Sequence, residues 1–420
     1  MTSGLTWTVK PEAGDSVLTK DDAGVVTAEL PPGTYRVSVV RAADGLEGKA
    51  SLNAVAGAER TVTVALEFPL EASLALTPPG EAPAGSKVSV AWQGPNRDGD
   101  YVTVVRQGAA AHEYLDYEMT ARGNPLDIVV PVEPGAYEMR YVLGRPQRVL
   151  ASEPLNVAAV EAALTVPTTA IAGSTIDVAW TGPGNPGDWI TVVEPDDAAA
   201  AYNGYFDAKP DNRALTLPVE PGDYEVRYVQ GGQKVIARAP IAVTPATAEI
   251  RAPQSVAAGG ELETGWTGPS NRGDWLTIVR PEQGETEYGS YADADRGNPA
   301  KLRAPVDEGG YELRYVLQGR KIIARRAIAV TPVTAAITAP ESVAADAEFD
   351  IGWTGPNNNG DWLTIVRPEQ GETEYGSYAD ADRDSPARLE APAVAGTYEL
   401  RYVLQGKKVI ARRAIAVVQP

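Results

Sequence analysis

A tryptophan, a Gly-Pro turn and then Gly-Asp-aromatic recur four times along this chain. Trp92, Trp180, Trp266 and Trp353 follow one another at intervals of 88, 86 and 87 residues. Nine residues after each stands a second aromatic: Tyr101, Trp189, Trp275 and Trp362. A fixed period of this size means tandem copies of one small domain, and it overrides any domain count taken from length alone. The boundaries read as an N-terminal module over 1–68 and four repeats over 69–158, 159–245, 246–332 and 333–420.

Each repeat is long enough to bury a core without cross-links or metal. That matters because the chain has no cysteine. Disulfides, Cys-zinc sites and thiol catalysis are removed together, although the compartment is not identified. The formal net charge of −19 sets the chain against nucleic acid and anionic lipid surfaces. No run of 18 apolar residues exists, so no helical membrane insertion is expected. Met1-Thr2-Ser3-Gly4 lacks the basic and apolar parts of a secretory leader. On that start the chain reads as a piece of something longer, a processed form, or a cytoplasmic protein.

Alternation with period two, punctuated by Gly and Pro, predicts strands throughout and no helix. In the N-terminal module Leu5–Val9, the segment after Pro31-Pro32-Gly33, and Glu59–Leu66 read as strands of a small β-sandwich. In the repeats Val88, Val90 and Trp92 share a face, as do Ile176, Val178 and Trp180, and Phe349, Ile351 and Trp353. The first tryptophans (Trp92, Trp180, Trp266, Trp353) are therefore expected in the core, where burial contributes about 1.5–3 kcal/mol per large apolar side chain. Trp362–Val366 and its counterparts form the next strand.

A polar connection follows, carrying a tyrosine pair at i and i+3: Tyr114/Tyr117, Tyr202/Tyr205, Tyr288/Tyr291 and Tyr375/Tyr378. The first of each pair lies 13 residues after the second aromatic, a spacing too constant for an unstructured loop. Then comes Gly-X-Tyr, with Tyr137, Tyr224, Tyr311 and Tyr398 in the place of a tyrosine corner. In Tyr398–Tyr402 the alternation puts Tyr398, Leu400 and Tyr402 inward, with Glu399 and Arg401 outward. About seven strands per repeat, joined with almost no linker, predict immunoglobulin-like sandwiches in an elongated rod of roughly 100 Å or more. Repeats three and four are identical over Gly273–Arg296 and Gly360–Arg383, which adds length or valency more readily than new chemistry.

Catalytic signals are thin. His112 is the one histidine and has no counterpart in the other repeats. The carboxylates Asp293/Asp295 and Asp380/Asp382 read as solvated turns. Calcium would want six or more oxygens, and too few carboxylates gather there. Arg272-Gly273-Asp274 spells an integrin-type tripeptide, yet its aspartate is the repeated one at 100, 188, 274 and 361. A turn-stabilising role explains all four. The second aromatics (Tyr101, Trp189, Trp275, Trp362) with Tyr205, Tyr291 and Tyr378 are the candidate binding residues. Either they form outward platforms for a protein anchor or a sugar ring, or the tyrosines fold over the indole as internal packing.

The strings Trp-Thr-Gly-Pro…Gly-Asp-Trp and Pro-Gly-X-Tyr-Glu-(Leu/Val)-Arg-Tyr-Val resemble tandem β-sandwich modules. Those modules form the C-terminal part of proteobacterial proteins with a von Willebrand factor type A domain, often labelled Ca-activated chloride channel homologues. The resemblance implies placement outside the cytoplasm, in the periplasm or at the cell surface. The type A domain's Asp-X-Ser-X-Ser metal motif is missing, so no adhesion metal is carried over. The sequence thus predicts a non-enzymatic array without cofactors. Its partner is expected to be another protein or a copy of itself, with glycan binding as the alternative.

Overall fold

The computed structural model describes residues 4–419, apart from 22, 42–45, 67–70 and 146. Met1–Ser3, where a leader was sought, and the expected module boundary at 68/69 lie outside the described residues. The chain divides into two compact units. One holds residues up to 163 together with 181–189 and 229–237, and the other holds the remainder.

Repeat four shows how a repeat is built. Ala336–Thr338, Glu348–Thr354 and Ala387–Glu390 form a three-stranded sheet with Glu348–Thr354 central. The second sheet has five strands in the order Ser342–Ala344, Lys408–Val418, Gly396–Leu404, Trp362–Val366, Tyr378–Asp380. Repeats one and three share this plan. Every pairing is antiparallel except the short strand Ser342–Ala344, which runs parallel to Lys408–Val418. Two facing sheets with this crossing first strand define an immunoglobulin-like sandwich.

Among the described residues repeats one, three and four have eight strands rather than the expected seven or so. The first strand splits and changes sheet. Pro78, Pro253 and Pro340 sit at the split, where a residue without an N–H cannot continue the ladder. Repeat two carries the same strands, with its third interrupted at Val178.

The core lies between the sheets. In repeat four Phe349, Ile351, Trp353, Leu363, Ile365, Leu400 and Tyr402 pack together. Trp92, Trp266 and Trp353 are buried, whereas Trp180 is only half-buried. It still packs on Tyr228 at 5.9 Å. Tyr137, Tyr224, Tyr311 and Tyr398 are buried too. The hydroxyls of Tyr137, Tyr224 and Tyr398 donate to the carbonyls of Glu133, Glu220 and Val394, four residues back, at 2.9, 3.2 and 2.9 Å.

The N-terminal module departs from expectation. Its described residues form one four-stranded antiparallel sheet, not a pair of sheets. Glu59–Leu66 joins no strand; Val62 and Val64 instead pack against Val9, Tyr35 and Val37. The segment's alternation is real, but it serves burial rather than a ladder. Tyr35 repeats the corner bond, to Pro31 O at 2.9 Å.

Candidate binding surface

The Gly-Asp pair anchors the site. Gly99, Gly187, Gly273 and Gly360 have φ between 87° and 93°, which costs a side-chain-bearing residue but not glycine. The following aspartates are all buried. Asp274 accepts from Asn271 N (2.9 Å), Gln318 N (2.9 Å) and the Tyr315 hydroxyl (2.9 Å). The Tyr315 oxygen in turn accepts from Ser270 N at 2.8 Å. Asp100/Tyr141 and Asp361/Tyr402 repeat the chain. One carboxylate therefore ties the Gly-Pro turn to the hairpin that closes the sheet. The turn-stabilising reading of this aspartate holds, and Asp274 is too buried to offer an Arg-Gly-Asp tripeptide.

Burial pushes the Asp274 carboxyl above the usual carboxylate range, against the pull of its donors, and Asp295 adds to the rise. Burial and the partner aspartates raise the hydroxyls of Tyr141, Tyr315 and Tyr402 well above the usual tyrosine range. In the unfolded chain tyrosines ionise near pH 10. The stability these hydroxyls contribute is therefore complete below about pH 10 and is lost as pH rises beyond it. Urea midpoints followed by tryptophan emission should hold between about pH 8 and 9.5 and fall steeply by about pH 11. A flat midpoint across that range would remove the hydroxyl–carboxylate bond from the account.

The strand after each Gly-Asp is buried on both faces. Leu363 and Ile365 point into the core, Thr364 lies under the polar connection, and Val366 is buried as well. Thr364 Oγ1 donates to Ser377 O at 2.9 Å, and Thr103, Thr191 and Thr277 make the same bond to Asp116, Gly204 and Ser290. The stronger anchor is arginine. Arg401, expected outward from strand alternation, has no exposed surface, and neither do Arg227 and Arg314. Arg401 Nη1 donates to Gly371 O (2.7 Å) and Nη2 to Gln370 O (2.8 Å) and Pro368 O (3.2 Å), with Glu399 beside it at 3.3 Å. Arg314 holds Gly284, Gln283 and Pro281 in the same way, and Arg140 holds Ala109 and Ala110. The outward face is where the alternation puts these residues; the connection then folds over them. A five-donor guanidinium suits a bundle of loop carbonyls as no other side chain does.

On these pinned connections stand the aromatics. In repeat three Trp275 meets Tyr288 and Tyr291 edge-on at 5.9 and 6.3 Å, and the tyrosines meet each other at 5.3 Å. Trp362, Tyr375 and Tyr378 repeat this at 5.9, 6.4 and 5.6 Å. In repeat one Tyr117 meets both Tyr101 and Tyr114 edge-on, and Tyr202 and Tyr205 pair in repeat two. The second aromatics are half-buried. The tyrosines are not folded away: Tyr288, Tyr291, Tyr375 and Tyr378 are 62, 56, 64 and 57% exposed. Neither expectation describes this alone, because the indole is the base and the tyrosine pair is the exposed part. Hairpin glycines 232, 319 and 406 leave room for the indole edge, 3.2–3.3 Å from where a Cβ would sit.

Open depressions lie beside the second tyrosine. One of about 370 Å³ is lined by Tyr291, Asp293, Arg296 and Pro299. Another of about 610 Å³ is lined by Tyr205, Phe206, Asp207 and Arg213. Asp293 and Asp380 pair with Arg296 and Arg383 at 3.0 and 3.3 Å. Among the described residues no three His, Asp or Glu side chains gather as a metal ion requires. His112 is exposed, at the rim of a depression with Arg106 and Tyr114. No helix of the described residues is long and apolar enough to cross a membrane.

No family model and no curated protein matches the chain. Solved structures of tandem β-domain proteins align with it at low identity. Domains 4–9 of the surface layer protein SbsC are 12% identical, over 99% of this chain and 73% of that one, with a TM-score of 0.20. The chicken contactin fragment CNTN1 FN1–FN3 is 11% identical over 62% and 97%, at 0.21. A surface glycan-binding protein of Bacteroides ovatus, SGBP-B, solved with a mixed-linkage heptasaccharide, is 12% identical over 80% and 91%, at 0.17. Overlap this slight says nothing about what the present chain binds.

Proposed function

We propose that the chain is a non-catalytic β-sandwich array that binds a protein partner, or further copies of itself, through its exposed tyrosine clusters. The observation that carries this is the same exposed tyrosine pair in all four repeats, held on a connection that a buried arginine fixes. Rigid aromatics supply contact area at little entropic cost, and interfaces are enriched in them. Four equivalent sites on one chain turn weak single contacts into avidity of about 10²–10⁴ over one site. Location at a bacterial envelope is proposed from the resemblance of the repeat strings to modules that accompany type A domains. Kinship with those proteins is part of the same proposal.

Carbohydrate binding is the second reading. It is favoured by the depressions in repeats two and three, where an aromatic edge, a carboxylate and an arginine meet. Changing Tyr288, Tyr291, Tyr375 and Tyr378 to Ala separates the readings from a folding defect, because these side chains are mostly in solvent. Capture of a protein partner from envelope extracts should fall at least about tenfold with unchanged thermal unfolding. Undiminished capture by the folded variant would sink the reading. Tryptophan emission that shifts on glycan addition, with capture of protein unaltered, would favour the carbohydrate one.

A further inference from the structure

Successive repeats meet through one recurring contact. In repeats three and four the closing hairpin carries Leu-Gln-Gly-X-Lys: Leu317-Gln318…Lys321 and Leu404-Gln405…Lys408. Gln318 Nε2 donates to Gly173 O at 3.0 Å, and Gln405 Nε2 to Gly259 O at 3.1 Å. Repeat two differs in detail: Gln230 stands where repeats three and four have the leucine, and its Nε2 donates to Ala84 O, one residue before the left-handed glycine, at 2.5 Å. Lys408 Nζ lies 3.0 Å from Asp307, and Lys234 2.7 Å from Glu133; Lys321 pairs with Glu220 in the same place. Leu317 and Leu404 are fully buried, and Leu404 belongs to the core cluster of repeat three rather than its own.

The receiving side is equally regular. A left-handed glycine (Gly85, Gly173 or Gly259, φ 72° each) follows a buried alanine. An acidic residue (Glu133, Glu220 or Asp307) sits nearby. The glycines have no room for a side chain. A Cβ on Gly173 would lie 2.8 Å from Leu317, and one on Gly259 3.0 Å from Leu404.

Repeat four breaks this pattern at both points. Asp346, at φ 57°, stands where the others have glycine, and Val394 stands where they have the acid. A leucine arriving as Leu404 does would strike the Asp346 side chain and bury its carboxylate unpaired, and an arriving lysine would meet Val394. We infer that repeat-to-repeat docking is specified by glycine and acid on the receiving face and, on the hairpin, by lysine with a leucine-glutamine pair in repeats three and four and with Gln230 in repeat two. Asp346 and Val394 close repeat four to another repeat of this kind.

The absence of cysteine makes a thiol test clean. L404C in the otherwise native chain should be protected from maleimide. Adding G259D and D307V, which copies repeat four's face onto repeat three, should speed labelling at least about tenfold. A second arm spares repeat three. Residues 333–420 are appended once more, with the appended copy's own Leu404 position as the only thiol. That thiol should label freely behind the native face and become protected when D346G and V394E are introduced. Protection behind the native face, or free labelling in both forms, overturns the inference. So does unchanged protection in the G259D/D307V chain.

Discussion

Replacing Arg401 by methionine should release the connection between Arg367 and Ser377 and lower the stability of repeat four by about 3–5 kcal/mol. The guanidinium is fully buried and serves three loop carbonyls, while Glu399, itself mostly buried, accepts from it. Methionine fills much of the volume but satisfies none of these acceptors. The carbonyls must then find water, which they can reach only if the connection lifts. A domain of this size has about 5–15 kcal/mol in all, so the loss brings repeat four close to its folding threshold. Lysine at 401 should be intermediate, since its compact ammonium cannot span carbonyls that a planar fork reaches together. The lifted connection carries Tyr375 and Tyr378, so their near-ultraviolet circular dichroism should weaken and proteolysis within Glu369–Ser377 should rise. Retention of both, with an unchanged urea midpoint, would show that the arginine is incidental to the connection.

The sandwich was legible in the sequence because its determinants are local. Period-two alternation, the Gly-Pro turns and the Gly-X-Tyr corner each report on their own few residues, and the fourfold repetition averages out accidents. The buried arginine was not legible for the same reason. Alternation places Arg401 on the outer face of its strand, and that is where it is. Whether the outer face sees solvent depends on a connection 30 residues earlier, which no local pattern records. The one available signal was the recurrence of Arg at 140, 227, 314 and 401 two residues after a glutamate. The candidate cluster was half legible. The constant 13-residue offset matched the aromatics that meet in repeats three and four, but not that the indole would lie beneath and the tyrosines in solvent. Glu59–Leu66 shows the opposite failure, with strand-like alternation and no partner strand to use it.

Changing Asp361 to Ala is expected to destabilise repeat four by about 3–6 kcal/mol. The carboxylate accepts from Asn358 N (2.9 Å), Gln405 N (2.8 Å) and the Tyr402 hydroxyl (3.0 Å) at a site with 1% exposure. Alanine leaves the Asn358 and Gln405 N–H groups without this acceptor and the Tyr402 hydroxyl with only Asn357 Oδ1 at 3.4 Å, at about 1–3 kcal/mol each and not additively. Asparagine restores one acceptor but turns its own N–H groups toward other donors, so Asp361→Asn should recover only part. Tyr402→Phe removes one donor to the carboxylate and the acceptor of Asn357 N but leaves the other two bonds to Asp361 intact, so it should cost least. Because Gln405 is positioned by Asp361 and reaches Gly259 of the preceding repeat, Asp361→Ala should also expose L404C to maleimide, whereas Tyr402→Phe should not. The order Asp361→Ala, Asp361→Asn, Tyr402→Phe in urea midpoint separates a carboxylate hub from a tyrosine that merely packs. If Tyr402→Phe proved the most damaging of the three, the ring and not the charge would be holding the turn to the hairpin.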